Sequence, residues 1–514
     1  MQSSALADFL WGKKAKLSYL LIAAIVLLFT CLAGREMWTQ EHRWADIVAG
    51  MFFRNDFLHP YLGEARYYDK PLLSYWLIAG IAQLIGTLNM WALRLPSALA
   101  GVLAVWSIYR LGRELKDKQL GLLSALMLLT TFYFVFWART SSADMLNLAG
   151  TLFAITWYRE KRQHPSFFNY AVFFLILALT SLCKGLVGAV IPMLAVLVDV
   201  VLARSIKQHL RWSLFLGALP ALVIYFIPFW ASSHFGGEVY GQSGLYLVYR
   251  ENVLRYFQPF DHQGPIYTYF IYLPIYLLPW TLFFIPALVG LKRRWKNLSA
   301  EMKWLTWTLF AIFIFFSVSG SRRSYYVLPL VPFAILFTAD WILATFNSVK
   351  RWQASVAGVA IFSYLFILFA LDFAPVWYYS QYGVSRFADS LKTEASKDKS
   401  WDSWHFVMLD AETKLIFYLG LPPTTKNYGT QADREAQNTE TLRKAWPLLT
   451  NKPANTIFVT RKRYVPLLAS FFQDYRLFEL PQQPARMLLK YNEENMPVAF
   501  IPLESTRYRA AASV

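Results

Sequence analysis

Arg43, Lys70, Arg139, Lys184, Arg255, Arg322 and Arg323 stand at or near the ends of strongly apolar runs, where a cation is expensive. Such a charge costs about 2.5 to 3.5 kcal/mol at the middle of a membrane helix and less at the interface. Several of them gathered on one side imply an anionic ligand, with a lipid phosphate as the obvious candidate. Taken singly, each has a plainer alternative, which is to snorkel to headgroups or pair with a nearby acid. Lys184 is the hardest to explain that way. It interrupts two apolar runs within SLCKGLVG, where glycines permit a tight turn and close approach of a ligand to the backbone. Arg322-Arg323, followed by SYYVLP and thus by Tyr326, offers a guanidinium fork and two phenols at the mouth of a span.

Acids form the second set: Glu41 in WTQEHRW, Asp69 beside Lys70, and Asp144 in ARTSSAD. A carboxylate at a partly dehydrated interface has its pKa raised toward a useful general-base range. The alternative is a salt bridge, Glu41 with Arg43 or Asp144 with Arg139. His262 lies in RYFQPFDHQGP. A lone histidine is more often a surface or capping residue, and Asp69 with His262 makes only a partial metal site, so no metal is required. Asp199 and Asp340 read as interfacial.

The elements that must position these groups are membrane spans. Hydrophobic residues make up 56% of the 514 and charged ones 16%, a balance that excludes a water-soluble globular protein. The formal charge of +18 must therefore be tested against the positive-inside bias before nucleic acid is considered. Apolar runs begin at 17–34 and recur near 94–110, 119–137, 145–158, 168–183, 185–203, 213–231, 265–290, 304–318, 325–346 and 353–374, which makes about eleven. The basic start Lys13, Lys14 and Lys16 precedes a run long enough to span, and reads as a retained first span rather than a signal peptide. Pro71 to Gly86 reads as a juxtamembrane or half-inserted helix. A full crossing there would invert every later loop.

With that choice Lys13/Lys14/Lys16, Arg110 to Lys118, Arg159/Lys161/Arg162, Arg204/Lys207/Arg211, Lys292 to Lys296 and Lys350/Arg351 all fall on the cytoplasmic side. The N-terminus is then cytoplasmic. A first outer loop 35–93, a second long outer loop 232–264 and everything after about residue 375 lie outside. The predicted architecture is an α-helical polytopic membrane protein: a transmembrane domain 1–375 with outer juxtamembrane helices, and a small α/β domain 376–514, periplasmic in a bacterial inner membrane. In that last domain strand-like runs (HFVMLD, NTIFVT, YRLFEL, PVAFIPL) alternate with helix-like ones (KLIFYLGL, YVPLLASFF), and 392–404 reads as a loop. Cys31 and Cys183 sit in apolar runs and imply no disulfide.

The ordered motifs TQEHRWADI, YYDKPLLSYWL, RLPSALAG, ARTSSADM, SLCKGLVG, RENVLRYF with HQGP, and SGSRRSYYVLPL resemble a known family. It is the polyprenyl-phosphate-sugar-dependent glycosyltransferases of the C superfold, in particular the aminoarabinose transferase and protein O-mannosyltransferase-like group. The resemblance covers most of 17–346. It implies a first-loop acid beside Arg43 and Trp44, a donor-phosphate lysine at Lys70, a second acid at Asp144, and Lys184 and Tyr326 lining the donor phosphate. One departure stands out: the family usually has an Asp-Glu pair in the first loop, and Gln40 stands where its catalytic Asp would be. Either Glu41 has taken over as base, or less of a base is needed.

The implied activity is transfer of a sugar from a polyprenyl-phosphate donor to an envelope acceptor, a lipid such as lipid A ahead of a glycan or protein. Membrane lipids, donor and acceptor are the expected partners, with no nucleic acid. The lipid-phosphate sugar is itself a substrate, so no cofactor is implied. A hydroxyl acceptor needs a base, whereas a phosphate acceptor with a second pKa of about 6 is already largely ionised. The rival reading is a transporter or flippase of a lipid-linked sugar, which would also place cations at the membrane surface. Paired halves or mid-membrane breaks would mark it, and neither is evident. An outer-face sensor or scaffold would explain the terminal domain but not the clustered motifs.

Overall fold

The computed structural model describes residues 16–38, 40–235, 244–259, 262–346, 349–428, 447–452, 454–480 and 493–503. Lys13 and Lys14 lie outside them. The chain forms two compact units. Of the described residues, one holds 16–33, 57–60 and those from 67 to 373, and the other 34–56, 61–66 and those from 374 to 503.

The first unit is helical. Its helices start where side chains satisfy the free amides of the first turn: Asn89, Asp117, Ser166 and Ser299 accept from Ala92, Leu120, Asn169 and Met302. Among the described residues six helical runs are long and apolar enough to cross a membrane: Met90–Leu115, Phe167–Lys184, Trp212–His234, Ala300–Val318, Ser324–Phe346 and Lys350–Ala395. Lys118–Leu129 and Phe132–Ala138, bent by 70° at Thr130–Thr131, add a seventh if they form one span. The sequence reads about eleven. Leu17–Phe29 and Val187–Ala203 are shorter apolar helices of 13 and 17 residues, below the roughly 20 that a bilayer asks for. The 265–290 run is split into Thr268–Tyr276 and Thr281–Val289. Leu73–Ile85, read as juxtamembrane, is a helix of 13 residues.

Ser324–Phe346 is 89% buried across its apolar window and forms the centre of the unit, while Trp212–His234 is only 28% buried and turns its apolar surface outward. Small residues let the helices around the centre approach closely. A Cβ on Gly150 would collide with the Thr180 side chain, and one on Gly188 would lie 2.8 Å from the Ser181 nitrogen. Ala143–Lys161, Phe167–Lys184 and Val187–Ala203 are thereby drawn together, with the first two antiparallel.

The second unit begins with Glu41–Arg54, an amphipathic helix, and a hairpin of β1 (Tyr61–Leu62) and β2 (Ala65–Arg66). Its sheet comprises β3 (His405–Leu409), β4 (Asn427–Tyr428), β5 (Thr456–Arg461), β6 (Tyr475–Phe478) and β7 (Pro497–Pro502) in the order β4-β3-β5-β7-β6. β3 runs parallel to β4 and β5, and β7 antiparallel to β5 and β6. Alternation buries both faces: Met408, Ile457, Val459, Ala499 and Ile501 pack under the Val384–Ala395 helix, while Val407, Leu409, Phe458 and Phe500 meet Leu449, Tyr464 and Phe472.

Two boundaries differ from the sequence reading. Residues 392–395 belong to the Val384–Ala395 helix, because Phe387, Ala388, Leu391 and Ala395 make one buried stripe. The first outer loop is divided between the units. The Glu36 carboxylate, buried, accepts from the Ser385 amide at 2.9 Å and from Lys414 at 2.9 Å, and the Met37 amide donates to Tyr418, so 34–56 clusters with the sheet.

Candidate active site

Helix ends bring the first pair together. Asp144 sits in the first turn of Ala143–Lys161, its amide capped by Ser142, and Lys184 is the last residue of Phe167–Lys184. An acid at an N-terminus and a cation at a C-terminus each meet the favourable end of the helix dipole. Their side chains join at 2.6 Å, both about 10% exposed. Lys184 also lies over the Tyr326 ring, 5.1 Å from its centre.

The turn after Lys184 is held from outside. Gly185 adopts φ +122°, and the carboxamide of Asn252, on the π-helical turn Tyr249–Leu254, accepts from the Leu186 amide at 2.7 Å. Three residues further on, Arg255 pairs with Glu251 at 2.7 Å and reaches the Ser321 hydroxyl.

Arg322 and Arg323 lie between two joined straps. Gln263 bridges Ser321, and the Arg322 amide donates to the His262 carbonyl. The Arg322 guanidinium donates to the carbonyls of Ser317, at 3.0 Å, and of Gly264. Arg323 donates to the Tyr325 hydroxyl at 2.6 Å and meets Nε2 of His262. Tyr325 in turn packs on Trp137. All the hydrogen-bond partners of these two arginines among the described residues are neutral, so no described residue offsets their charge, and Tyr326, whose amide donates to the Arg323 carbonyl, lies against Lys184.

Lys70 stays with its neighbour, donating to the Asp69 carbonyl at 2.9 Å and its carboxylate at 3.4 Å, and Tyr75 donates to the other carboxylate oxygen. Lys70 and Asp69 are both about a fifth exposed. Among the described residues no group of three His, Cys, Asp or Glu side chains converges.

In the second unit Glu41 is fully buried at the start of its helix. Its Oε2 accepts from the Trp38 amide at 2.8 Å and pairs with Arg35 at 3.4 Å, a partner the sequence reading does not name. Arg43 lies on the less buried side of the same helix. Asp46, which the sequence reading passes over, is half-buried and has no hydrogen-bond or ion-pair partner among the described residues. Burial alone pushes its carboxyl up to about 7. Its position in the helix, three residues after Arg43, is the only sequence signal that could have drawn attention to it.

One salt-bridge reading and one ligand-side reading are corrected. Asp144 pairs with Lys184 rather than Arg139. Arg139, read as a ligand-side cation, is 5% exposed and braces the helix end at the Leu27 and Thr30 carbonyls while pairing with Asp372. A cation committed to two carbonyls and a carboxylate is structural. Asp199 and Asp340 hold Arg159/Arg162 and Lys116/Arg294.

Residues 69–231 match the family described as dolichyl-phosphate-mannose-protein mannosyltransferase. A protein of Aquifex aeolicus described as uncharacterized is 29% identical over 335 residues, covering 64% of this chain and 64% of the relative. The undecaprenyl phosphate-alpha-4-amino-4-deoxy-L-arabinose arabinosyl transferase of Shewanella sediminis is 27% identical over 350 residues, covering 66% and 62%. The chain thus spans less than two thirds of the length of these curated relatives. In structure it is similar to ArnT from Cupriavidus metallidurans bound to undecaprenyl phosphate, with a TM-score of 0.72 at 18% identity, covering 95% of this chain and 98% of that one. The Archaeoglobus fulgidus oligosaccharyltransferase gives 0.52 at 12% identity, covering 90% and 73%. The resemblance carried by the motifs holds in sequence and in fold.

Proposed function

We propose that this chain, similar in sequence and fold to the polyprenyl-phosphate-sugar-dependent glycosyltransferases, is a membrane enzyme that transfers a sugar from a polyprenyl-phosphate donor to an envelope acceptor. The observation that carries the reading is the pair Arg322 and Arg323, held by neutral partners and reaching through Tyr326 to Lys184. A double positive charge held by neutral partners suits a phosphate.

The step is a direct displacement. An acceptor oxygen bonds to the anomeric carbon, the bond from that carbon to the donor phosphate breaks, and the polyprenyl phosphate leaves with the electron pair. A hydroxyl acceptor also gives up its proton to a base. The leaving group gains a full negative charge, so cations already in place at that oxygen lower the barrier most. Arg322, Arg323, Lys184, Lys70, Arg255 and the Tyr326 phenol hold the phosphate. Asp144 sets the position of the Lys184 ammonium. Glu41, clasped by Arg35 and the Trp38 amide, orients the start of the first-loop helix and stands nearest to the family's base position.

In this reading about eleven segments cross a bacterial inner membrane, the N-terminus is cytoplasmic, and the transfer site and the sheet-bearing residues 376–514 are periplasmic. The positive-inside distribution of the basic clusters supports it. A lipid of the envelope, lipid A or another glycolipid, is the favoured acceptor, ahead of a glycan or protein, and no metal or cofactor is assigned to the site. Asp69 and His262 remain on the donor side as candidates for contacts to the sugar.

The test is transfer in proteoliposomes from a panel of radiolabelled undecaprenyl-phosphate sugars to extracted envelope lipids. Wild-type protein is expected to move label onto a lipid, Lys70→Ala to abolish that transfer and Arg323→Ala to weaken it. Movement of labelled donor between leaflets with no transfer across the panel would overturn the reading in favour of a flippase.

A further inference from the structure

Ala143–Lys161 carries a second group of charges at its far end. Asp144 and Lys161 are 17 positions apart, about 26 Å along the helix, so this group is remote from the site just described. Phe167–Lys184 runs back antiparallel, and its first turns therefore lie beside Trp157 and Lys161, where Trp157 donates to the Asn169 carbonyl.

Between these turns and the short helix Ile206–His209 opens a small cleft that communicates with the surface. It is lined by Trp157, Tyr158, Lys161, Arg162, Tyr170 and His209, among others. His209 stands between two phenols, its Nδ1 3.0 Å from the Tyr170 hydroxyl and its Nε2 3.4 Å from that of Tyr158. The acid behind the cleft is already satisfied: Asp199 accepts from Arg159 at 2.7 Å, Arg162 at 2.6 Å and Tyr158 at 2.8 Å. Two cations are in surplus. Lys161 has only the Trp157 ring at 5.6 Å, and Arg211, whose amide donates to the His209 carbonyl, acts electrostatically on both Tyr170 and His209. Among the described residues neither has an acidic partner.

The rim is apolar and faces outward. Phe167 and Phe168, between the lining residues Pro165 and Asn169, are 51% and 65% exposed, and Leu210 and Trp212, flanking Arg211, are 57% and 81% exposed. Large apolar side chains left uncovered beside a basic polar cleft fit acyl chains better than water.

We propose that this cleft is a phosphate-binding site that takes the headgroup of an anionic lipid, with Lys161, Arg211 and Tyr170 on the phosphate and the exposed aromatics against its chains. It is separate from the transfer site and does not depend on the reaction proposed there.

The test uses full-length protein stripped of lipid in detergent, with bound lipid counted by native mass spectrometry and thermal unfolding followed. The additions are cardiolipin, phosphatidylglycerol, phosphatidylcholine or inorganic phosphate. Wild-type protein is expected to retain and be stabilised by the two anionic lipids and not by phosphatidylcholine. Lys161→Ala and Arg211→Gln are each expected to weaken that binding about fivefold, and together more. Tyr170→Phe, which keeps the packing, checks against misfolding and is expected to weaken binding without changing the unliganded unfolding temperature. Equal binding by wild type and the double variant would overturn the site. Equal protection by inorganic phosphate would keep the phosphate site and overturn its lipid source.

Discussion

The ammonium of Lys184 and the carboxylate of Asp144 meet at 2.6 Å, joining the last residue of one helix to the first turn of its antiparallel neighbour. Both are nearly buried, so neither tolerates loss of the other. Removing one partner of a buried pair costs about 3 to 5 kcal/mol because the survivor is left charged and unpaired. Lys184→Ala and Asp144→Asn are each expected to lower the unfolding temperature clearly. The double change to Met and Asn is expected to restore most of the stability and none of the transfer. Recovery of transfer in the double variant would show that the pair serves packing alone.

Gly185 provides a second handle on the same ammonium. At φ +122° a side chain is strained, and a Cβ would stand 2.6 Å from Oδ1 of Asn252. Gly185→Ala is expected to shift the Lys184 turn and lower the transfer rate by tenfold or more, with a stability loss of about 1 to 3 kcal/mol. Adding Asn252→Ala removes the collision but not the backbone strain. It is therefore expected to return part of the stability, measured by thermal unfolding, and little of the activity.

Much of this was legible in the chain, and what was not has a physical cause. Strands β3, β5 and β7 follow the short apolar strand-like runs because both faces of the sheet are buried, which asks for near-continuous apolar residues between turns. The motif residues Lys184, Tyr326, Arg323 and His262 do converge, since each lies at a helix end or strap where apolar periodicity breaks. Pairing was not readable. Asp144 is 40 positions from Lys184 and only 5 from Arg139, so proximity in sequence favoured the wrong partner. Arg139 is instead drawn to the carbonyls at the end of Leu17–Phe29, groups that every sequence contains and none advertises. The burial of Asp46 was equally invisible, because an amphipathic helix reads the same whether or not its polar side is covered.

Asp46 makes stability depend on pH in a direction opposite to that of most carboxylates. Its folded carboxyl titrates at about 7, above the ordinary value of 3.8, so the folded chain holds a proton that the unfolded chain releases. Below about pH 4 both forms are protonated and the group has no effect. Between about 4 and 7 the folded state loses ground, and above 7 the penalty is complete, at most about 4 kcal/mol and less for a half-buried group. Asp46→Asn is therefore expected to unfold at a higher temperature than wild type at pH 8 and at the same temperature at pH 4. An equal gain at both would trace it to something other than ionisation.

Arg322 and Arg323 are adjacent and are expected to fail differently. The Arg322 guanidinium is engaged by the Ser317 and Gly264 carbonyls and ties two straps together, a geometry that a lysine ammonium cannot reproduce. Arg322→Lys is expected to lower the unfolding temperature and the donor affinity together, because the fork is lost from both the straps and the phosphate. Arg323 is bound by a phenol and an imidazole, which leave its charge available to a phosphate. Arg323→Ala is expected to raise KM for the donor at least tenfold with little loss of stability, and Arg323→Lys to recover part of the affinity, since the charge remains but the fork does not. The two contributions separate in salt. Attraction between Arg323 and a donor phosphate is screened as ionic strength rises from 0.01 M to 0.15 M, where the Debye length falls from about 30 to about 8 Å. Wild-type KM is therefore expected to climb over that range while that of Arg323→Ala stays flatter, and parallel slopes would remove Arg323 from the donor site.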